Sequence, residues 1–243
     1  MKLPKEKIIA CAVALGMAGM LALGGGAMLQ PLGFATAQAS EIPAPAANAQ
    51  AATTSPARTE TVVFAGGCFW GVQGVFQHIK GVQRAVSGYE GGSASTAQYD
   101  IVSGGDTGHA ESVQVTYDPS QVSYAKLMQV FFSVAHDPTQ LNYQTPDHGT
   151  QYRSAVFTTT PQQYAQTNAY IEQLGKTDVF RGRIVTQVVQ GKTFYPAENY
   201  HQDYLTLNPQ SGYIRTYDLP KVADLKRLYP AIYREQPVLV NRH

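Results

Sequence analysis

Cys68 stands in the run Gly66-Gly67-Cys68-Phe69-Trp70, and helical spacing of apolar residues (Phe69, Val72, Phe76, Ile79) begins directly after it. A thiol at the start of a helix meets the positive end of the helix dipole and several unpaired backbone N–H groups. Both favour the thiolate, which is the nucleophile. The competing reading is an inert cysteine buried in a core. The glycine turn before Cys68 and the aromatic pair after it favour the reactive reading. Phe69 falls on the apolar stripe of the helix and could serve packing alone. Trp70, the only tryptophan of the chain, lies off that stripe and could wall a pocket for a small apolar group.

Glu111 is the second informative residue. If a strand begins there, alternation places it on the face of Val113 and Val115. A carboxyl group facing an apolar interior would hold its proton near neutral pH and could act as a general acid. The alternative is a solvated glutamate in the loop after Thr107-Gly108-His109-Ala110. Tyr99 and Tyr152 have phenol groups that could bind a polarised oxygen, or they could simply pack. The six histidines show no His-Glu-x-x-His run, and His136-Asp137 and Asp147-His148 lack helical ligand spacing, so no metal site is expected.

These residues need elements to hold them. Val62 to Ala65 reads as a buried central strand, followed by the helix of Cys68. Val82 to Val86 and Glu111 to Tyr117 read as strands, and Tyr124, Leu127, Phe131 and Val134 as one face of a helix. Ser154 to Thr158 reads as a strand. A helix follows from Thr160-Pro161 to Gly175, then a strand over 184–189 and a short helix over 197–205. The mixture without strict alternation implies an α+β fold. We expect a two-layer α/β sandwich with a mostly antiparallel mixed sheet, ferredoxin-like in kind.

The chain has 243 residues, 44% hydrophobic and 14% charged, which excludes a disordered chain. A net charge of +1 gives no basic surface and argues against a nucleic-acid partner. Lys2, Lys5 and Lys7 precede an uncharged run from Ile8 to Ser40 that holds Ala37-Gln38-Ala39. Residues 1–39 therefore read as a signal peptide, with a membrane anchor over residues 8–30 as the alternative. Either reading exports the protein, to the bacterial periplasm. Cys11 leaves with the signal, and Cys68 is then the only cysteine. Residues 40–59 read as an Ala/Pro-rich linker, 60–218 as the catalytic domain, and 219–243 as a C-terminal tail with one helix near Val222 to Leu228.

Six runs in order resemble the A-type peptide methionine sulfoxide reductases. They are Gly67-Cys68-Phe69-Trp70-Gly71, Gly88-Tyr89-Glu90-Gly91-Gly92, Gly108-His109-Ala110-Glu111, His136-Asp137-Pro138-Thr139, 147–154, and Pro196 to His201. The resemblance implies that Cys68 attacks the sulfur of a methionine S-sulfoxide in oxidised proteins or peptides. It implies that Glu111 protonates the sulfoxide oxygen with help from Tyr99 and Tyr152. Phe69 and Trp70 would hold the terminal methyl group, and Asp147 would bind the substrate backbone. It implies no cofactor, and an expected monomer. Three departures matter. Gln73 stands where many relatives carry Glu, and Tyr143-Gln144-Thr145-Pro146 replaces the usual Arg-Gln-Gly-Asn. Ile214, in Gly212-Tyr213-Ile214, occupies the position of the family's resolving cysteine. The expected sulfenic acid on Cys68 then needs an external thiol, such as a thioredoxin-like protein, glutaredoxin or glutathione. Two other classes compete: a cysteine hydrolase using His109 or His201 as base, and a non-catalytic binding domain on the same fold.

Overall fold

Val62, Val63, Phe64 and Ala65 are all buried because β1 (Glu60–Ala65) is the inner strand of the sheet, with partners on both edges and side chains covered on both faces. The computed structural model describes residues 39–46 and 59–241. The signal peptide read over residues 1–39 lies outside them except for Ala39, as do residues 47–58 of the linker. After β1 come α1 (Phe69–Gln77), β2 (Val82–Glu90), the short α2 (Tyr99–Val102), β3 (Ala110–Tyr117) and α3 (Tyr124–Val130). A two-stranded hairpin, β4 (Tyr143–Gln144) and β5 (Asp147–His148), precedes β6 (Ala155–Thr158). The chain continues through α4 (Pro161–Gly175), β7 (Gln187–Gln190), β8 (Phe194–Pro196), α5 (Tyr204–Leu207) and α6 (Leu219–Leu228).

The main sheet has the order β7-β6-β1-β3-β2-β8. Every neighbouring pair in it is antiparallel except β6 and β7, which run parallel. The architecture is α+β, a mixed sheet with helices. Alternation assigns the faces. Val62 and Phe64 of β1, with Val113, Val115 and Tyr117 of β3, join the main core with α1 and α3. Phe64 stacks on Phe76 of α1 at 4.8 Å and on Phe131 at 4.7 Å. Val63, Ala65, Ala110, Ala155 and Phe157 form a small second cluster. All nine residues of α1 are buried, so the helix has no solvent face.

The structure departs from three expectations. The strand expected over 184–189 is confined to β7, because Val185 donates its N–H to the Pro138 carbonyl (2.8 Å) and not to the sheet. The helix expected over 197–205 is broken into a 3₁₀ turn, Asn199–His201, and α5, because Asp203 between them is left-handed (φ 59°). Part of the expected linker is docked: Ile42 is buried, and the carbonyls of Ile42, Pro43 and Ala44 accept from Gln129, Tyr170 and Gln173. The C-terminal tail read over 219–243 packs against the domain: α6 lies on α1, and Tyr233 forms a β-bridge with Ile79 just past that helix.

Candidate active site

Cys68 occupies the N-cap position of α1, as the sequence suggests, and is buried outside any disulfide. The turn before it needs glycine. Gly67 has φ 88°, and a Cβ there would lie 2.6 Å from the Cβ of Gln144. Glu111 lies in β3 and is 1% exposed, which rules out the solvated-loop reading. Its Oε2 accepts the N–H of Phe69 (3.1 Å), so the carboxyl group meets the helix one residue past the thiol. Arg153 secures the loop that leads into β3 by donating to the carbonyls of Gly108 (2.9 Å) and His109 (3.0 Å).

Tyr99 opens α2 and Tyr152 closes a 3₁₀ turn. Both are buried in the same cluster as Cys68, Phe69 and Trp70. Glu198, which sequence reasoning left without a role, holds this side together. Its Oε1 accepts the N–H of Tyr99 (3.0 Å) and its Oε2 accepts the hydroxyl of Tyr89 (2.8 Å). The Pro196 to His201 run was the available signal for it.

Trp70 is fixed from two directions. Its indole N–H donates to His201 Nδ1 (3.2 Å), and Tyr204 stacks on it at 3.9 Å with 14° between planes. Burial lowers the His201 pKa to about 4 although Glu198 opposes the shift. The ring is therefore neutral, accepts at Nδ1 and carries its proton on Nε2. That use of Nδ1, and an Nε2 with no hydrogen-bond partner, leave His201 unable to serve as base to Cys68. His109 is committed elsewhere: Nδ1 accepts from Gly92 N–H (3.1 Å), and Nε2 donates to the Ser93 carbonyl (2.9 Å). The hydrolase reading has no base.

Tyr213 meets Trp70 edge-on at 6.0 Å and belongs to a polar group at the helix start. Asp147, in β5, is buried and accepts from the hydroxyl of Tyr213. Its pKa is raised to about 6, chiefly by burial, with the Tyr213 bond acting the other way. Tyr213 itself is raised by burial and by the nearby charges of Cys68, Asp218 and Asp147. Asp218 is fully buried, receives Lys221 Nζ at 3.3 Å, and presses on Gly71 in the first turn of α1 so closely that a Cβ there would clash. Tyr213, Asp218 and Lys221 were not singled out from sequence. Tyr213 lay in the quoted run Gly212-Tyr213-Ile214 without a role of its own, and Asp218 and Lys221 come from the domain's end and tail, where no spacing marked them. Among the described residues, no group of three His, Cys, Asp or Glu could hold a metal ion.

A family model for peptide methionine sulfoxide reductase matches residues 60–231. The chain belongs to the peptide methionine sulfoxide reductase family. It is 63% identical to peptide methionine sulfoxide reductase MsrA 2 of Mesorhizobium japonicum over 182 residues, which is 75% of this chain and 93% of that protein. It is 48% identical to the MsrA 2 of Synechocystis sp., over 77% of this chain and 88% of that one. Among solved structures, it resembles methionine sulfoxide reductase A of Corynebacterium diphtheriae with a TM-score of 0.56 and 35% identity. That match covers 70% of this chain and 84% of the other. The reduced form of Mxr1 from Saccharomyces cerevisiae gives a TM-score of 0.57 at 35% identity, covering 65% and 90%. The shared family places the chain among oxidoreductases and leaves no ground for the binding-domain reading.

Proposed function

We propose that Cys68 performs the reduction of methionine S-sulfoxide, in proteins and as the free or blocked amino acid, to methionine. The observation that carries this is the shared helix start: Cys68 occupies the N-cap position of α1, and the Glu111 carboxyl bonds to the N–H of the next residue. The Cys68 thiolate attacks the sulfoxide sulfur while Glu111 delivers a proton to the sulfoxide oxygen. Tyr99 and Tyr152 steady that oxygen through their hydroxyls. The protonated oxygen leaves the substrate sulfur as water, a water oxygen bonds to the Cys68 sulfur as the transient S–S bond breaks, and methionine departs, leaving a sulfenic acid on Cys68. The sulfoxide sulfur is reduced by two electrons and the cysteine sulfur is oxidised by two. Phe69 and Trp70 wall the pocket for the substrate methyl, and Asp147 accepts the substrate's backbone N–H.

The return to thiol uses an external reductant. Ile214 is buried at the position where a resolving cysteine would stand, and Cys68 is the only cysteine among the described residues. One thiol condenses with the sulfenic acid, releasing water and leaving a mixed disulfide on Cys68. A second thiol then frees the enzyme as a thiol. A thioredoxin-like protein, glutaredoxin or glutathione can supply both. Export rests on the sequence of residues 1–40. A ferredoxin-like centre is supported by the order β6-β1-β3-β2, with α1 crossing between β1 and β2 and α3 between β3 and β6.

The test is reduction of separated S- and R-epimers of a blocked methionine sulfoxide with dithiothreitol, beside Cys68→Ser. Turnover of the S-epimer alone, abolished in the variant, is expected. No turnover of either epimer by folded protein would refute the proposal.

A further inference from the structure

Beyond α6 the chain doubles back along the end of α1. Lys80 donates its N–H to the Ile232 carbonyl (2.8 Å), Arg234 donates to His78 (2.8 Å), and Val238 donates to Gln77 (3.0 Å). The segment finishes on the carboxylate of Asp203. Val240 N–H reaches Oδ1 (3.0 Å) and Asn241 N–H reaches Oδ2 (2.9 Å). Gln77 Nε2 also donates to Oδ1 (2.7 Å). Asp203 is 1% exposed, and its own N–H goes to Gln73 Oε1 (2.9 Å). A buried carboxylate needs such donors, since leaving it short of partners is costly.

The position of Asp203 in the chain gives these bonds a consequence. Two residues before it, His201 receives the indole N–H of Trp70. One residue after it, Tyr204 stacks on the same indole. The left-handed backbone of Asp203 separates the 3₁₀ turn of His201 from α5, which begins with Tyr204, so one conformation at one residue sets both. The region matched by the family ends at residue 231, before Val238 to Asn241.

We propose that Asp203 is a positioning residue for Trp70, and that the tail over 238–241 acts through it. The tail's backbone N–H groups hold the Asp203 turn, and the turn sets His201 and Tyr204 against the indole that walls the methyl pocket. This deepens the proposed function and rests on Trp70 as a wall of that pocket. A purely structural tail would change stability and leave the pocket alone.

Trp70 is the only tryptophan of the chain, so emission and acrylamide quenching of the full-length protein report on it directly. Two variants are compared with the full chain at a temperature where both are folded: a stop after Gln236, and Asp203→Asn. Asn keeps the tolerance for a left-handed backbone but exchanges one acceptor oxygen for a donor. Both should raise KM for blocked methionine S-sulfoxide about fivefold with kcat nearly unchanged, the pattern of lost uniform binding. Both should increase quenching of Trp70. In a Trp70→Ala background the stop should raise KM no further. A lower melting temperature with unchanged KM and unchanged quenching in both variants would overturn the proposal. If Trp70→Ala alone leaves KM unchanged while both variants still increase quenching, the link from tail to Trp70 stands and the pocket reading fails.

Discussion

The first turn of α1 has two unlike flanks. On one side Trp70, Phe69, His201 and Tyr204 make an aromatic wall whose histidine is held near pKa 4 by burial. The other is polar: Tyr213, whose ring meets Trp70 edge-on at 6.0 Å, joins Asp147, Asp218 and Lys221, and Asp147 titrates near 6. The aromatic flank keeps its charge state from pH 5 to 8, whereas the polar flank changes within that range. A substrate with an apolar methyl at one end and a peptide backbone at the other matches this division. The contrast also separates two jobs that kinetics can tell apart, since grip on the methyl and grip on the backbone both act on KM but answer differently to pH.

The largest expected effect lies between the flanks, where the chemistry is placed. Cys68→Ser should lower kcat/KM by at least about a thousandfold, measured with dithiothreitol as reductant. A residual rate near wild type would remove the thiol from the reaction. Glu111→Gln keeps an acceptor for Phe69 N–H but loses the acid, so kcat should fall about a hundredfold or more. On the aromatic flank, Trp70→Ala should raise KM about tenfold over wild type, the scale of a small apolar group's binding in a pocket, and by the same factor at every pH between 5 and 8.

The smallest effect belongs to the polar flank. Asp147 has a raised pKa, so falling pH protonates it near 6, well before an ordinary carboxyl group. A protonated Asp147 is a poorer acceptor, and KM for a substrate with a backbone amide should therefore rise as pH falls from about 7.5 to 5. Asp147→Asn should raise KM about threefold at pH 7.5 and abolish that pH dependence. A KM that rises with falling pH in Trp70→Ala but not in wild type would reverse the assignment of the flanks.

The two flanks also differ in how far the sequence revealed them. Cys68, Phe69, Trp70 and Glu111 were legible because helix spacing, strand alternation and ordered motifs all bear on them, and the structure places them together. Glu198 and His201 lay within a recognised run, yet nothing local marked which atoms they would hold. Tyr213, Asp218 and Lys221 were illegible for another reason. They reach the site through a π-helical turn over Ile214–Asp218 and the start of α6, and no periodicity encodes that long-range return. The same limit explains the docked segment 39–46, whose Ala/Pro composition reads as a linker. Glutamines on α3 and α4 hold its backbone, and they look like ordinary surface residues in one dimension.

The central claim is a reductase whose only cysteine after residue 39 forms a sulfenic acid that an outside thiol must reduce. The most direct measurement is the intact mass of the chain starting at Ser40 after one turnover with methionine S-sulfoxide, followed by glutathione. The account predicts a single glutathione adduct, on Cys68, and none in Cys68→Ser. A chain that releases methionine, takes up no adduct and loses only two hydrogens would contradict it.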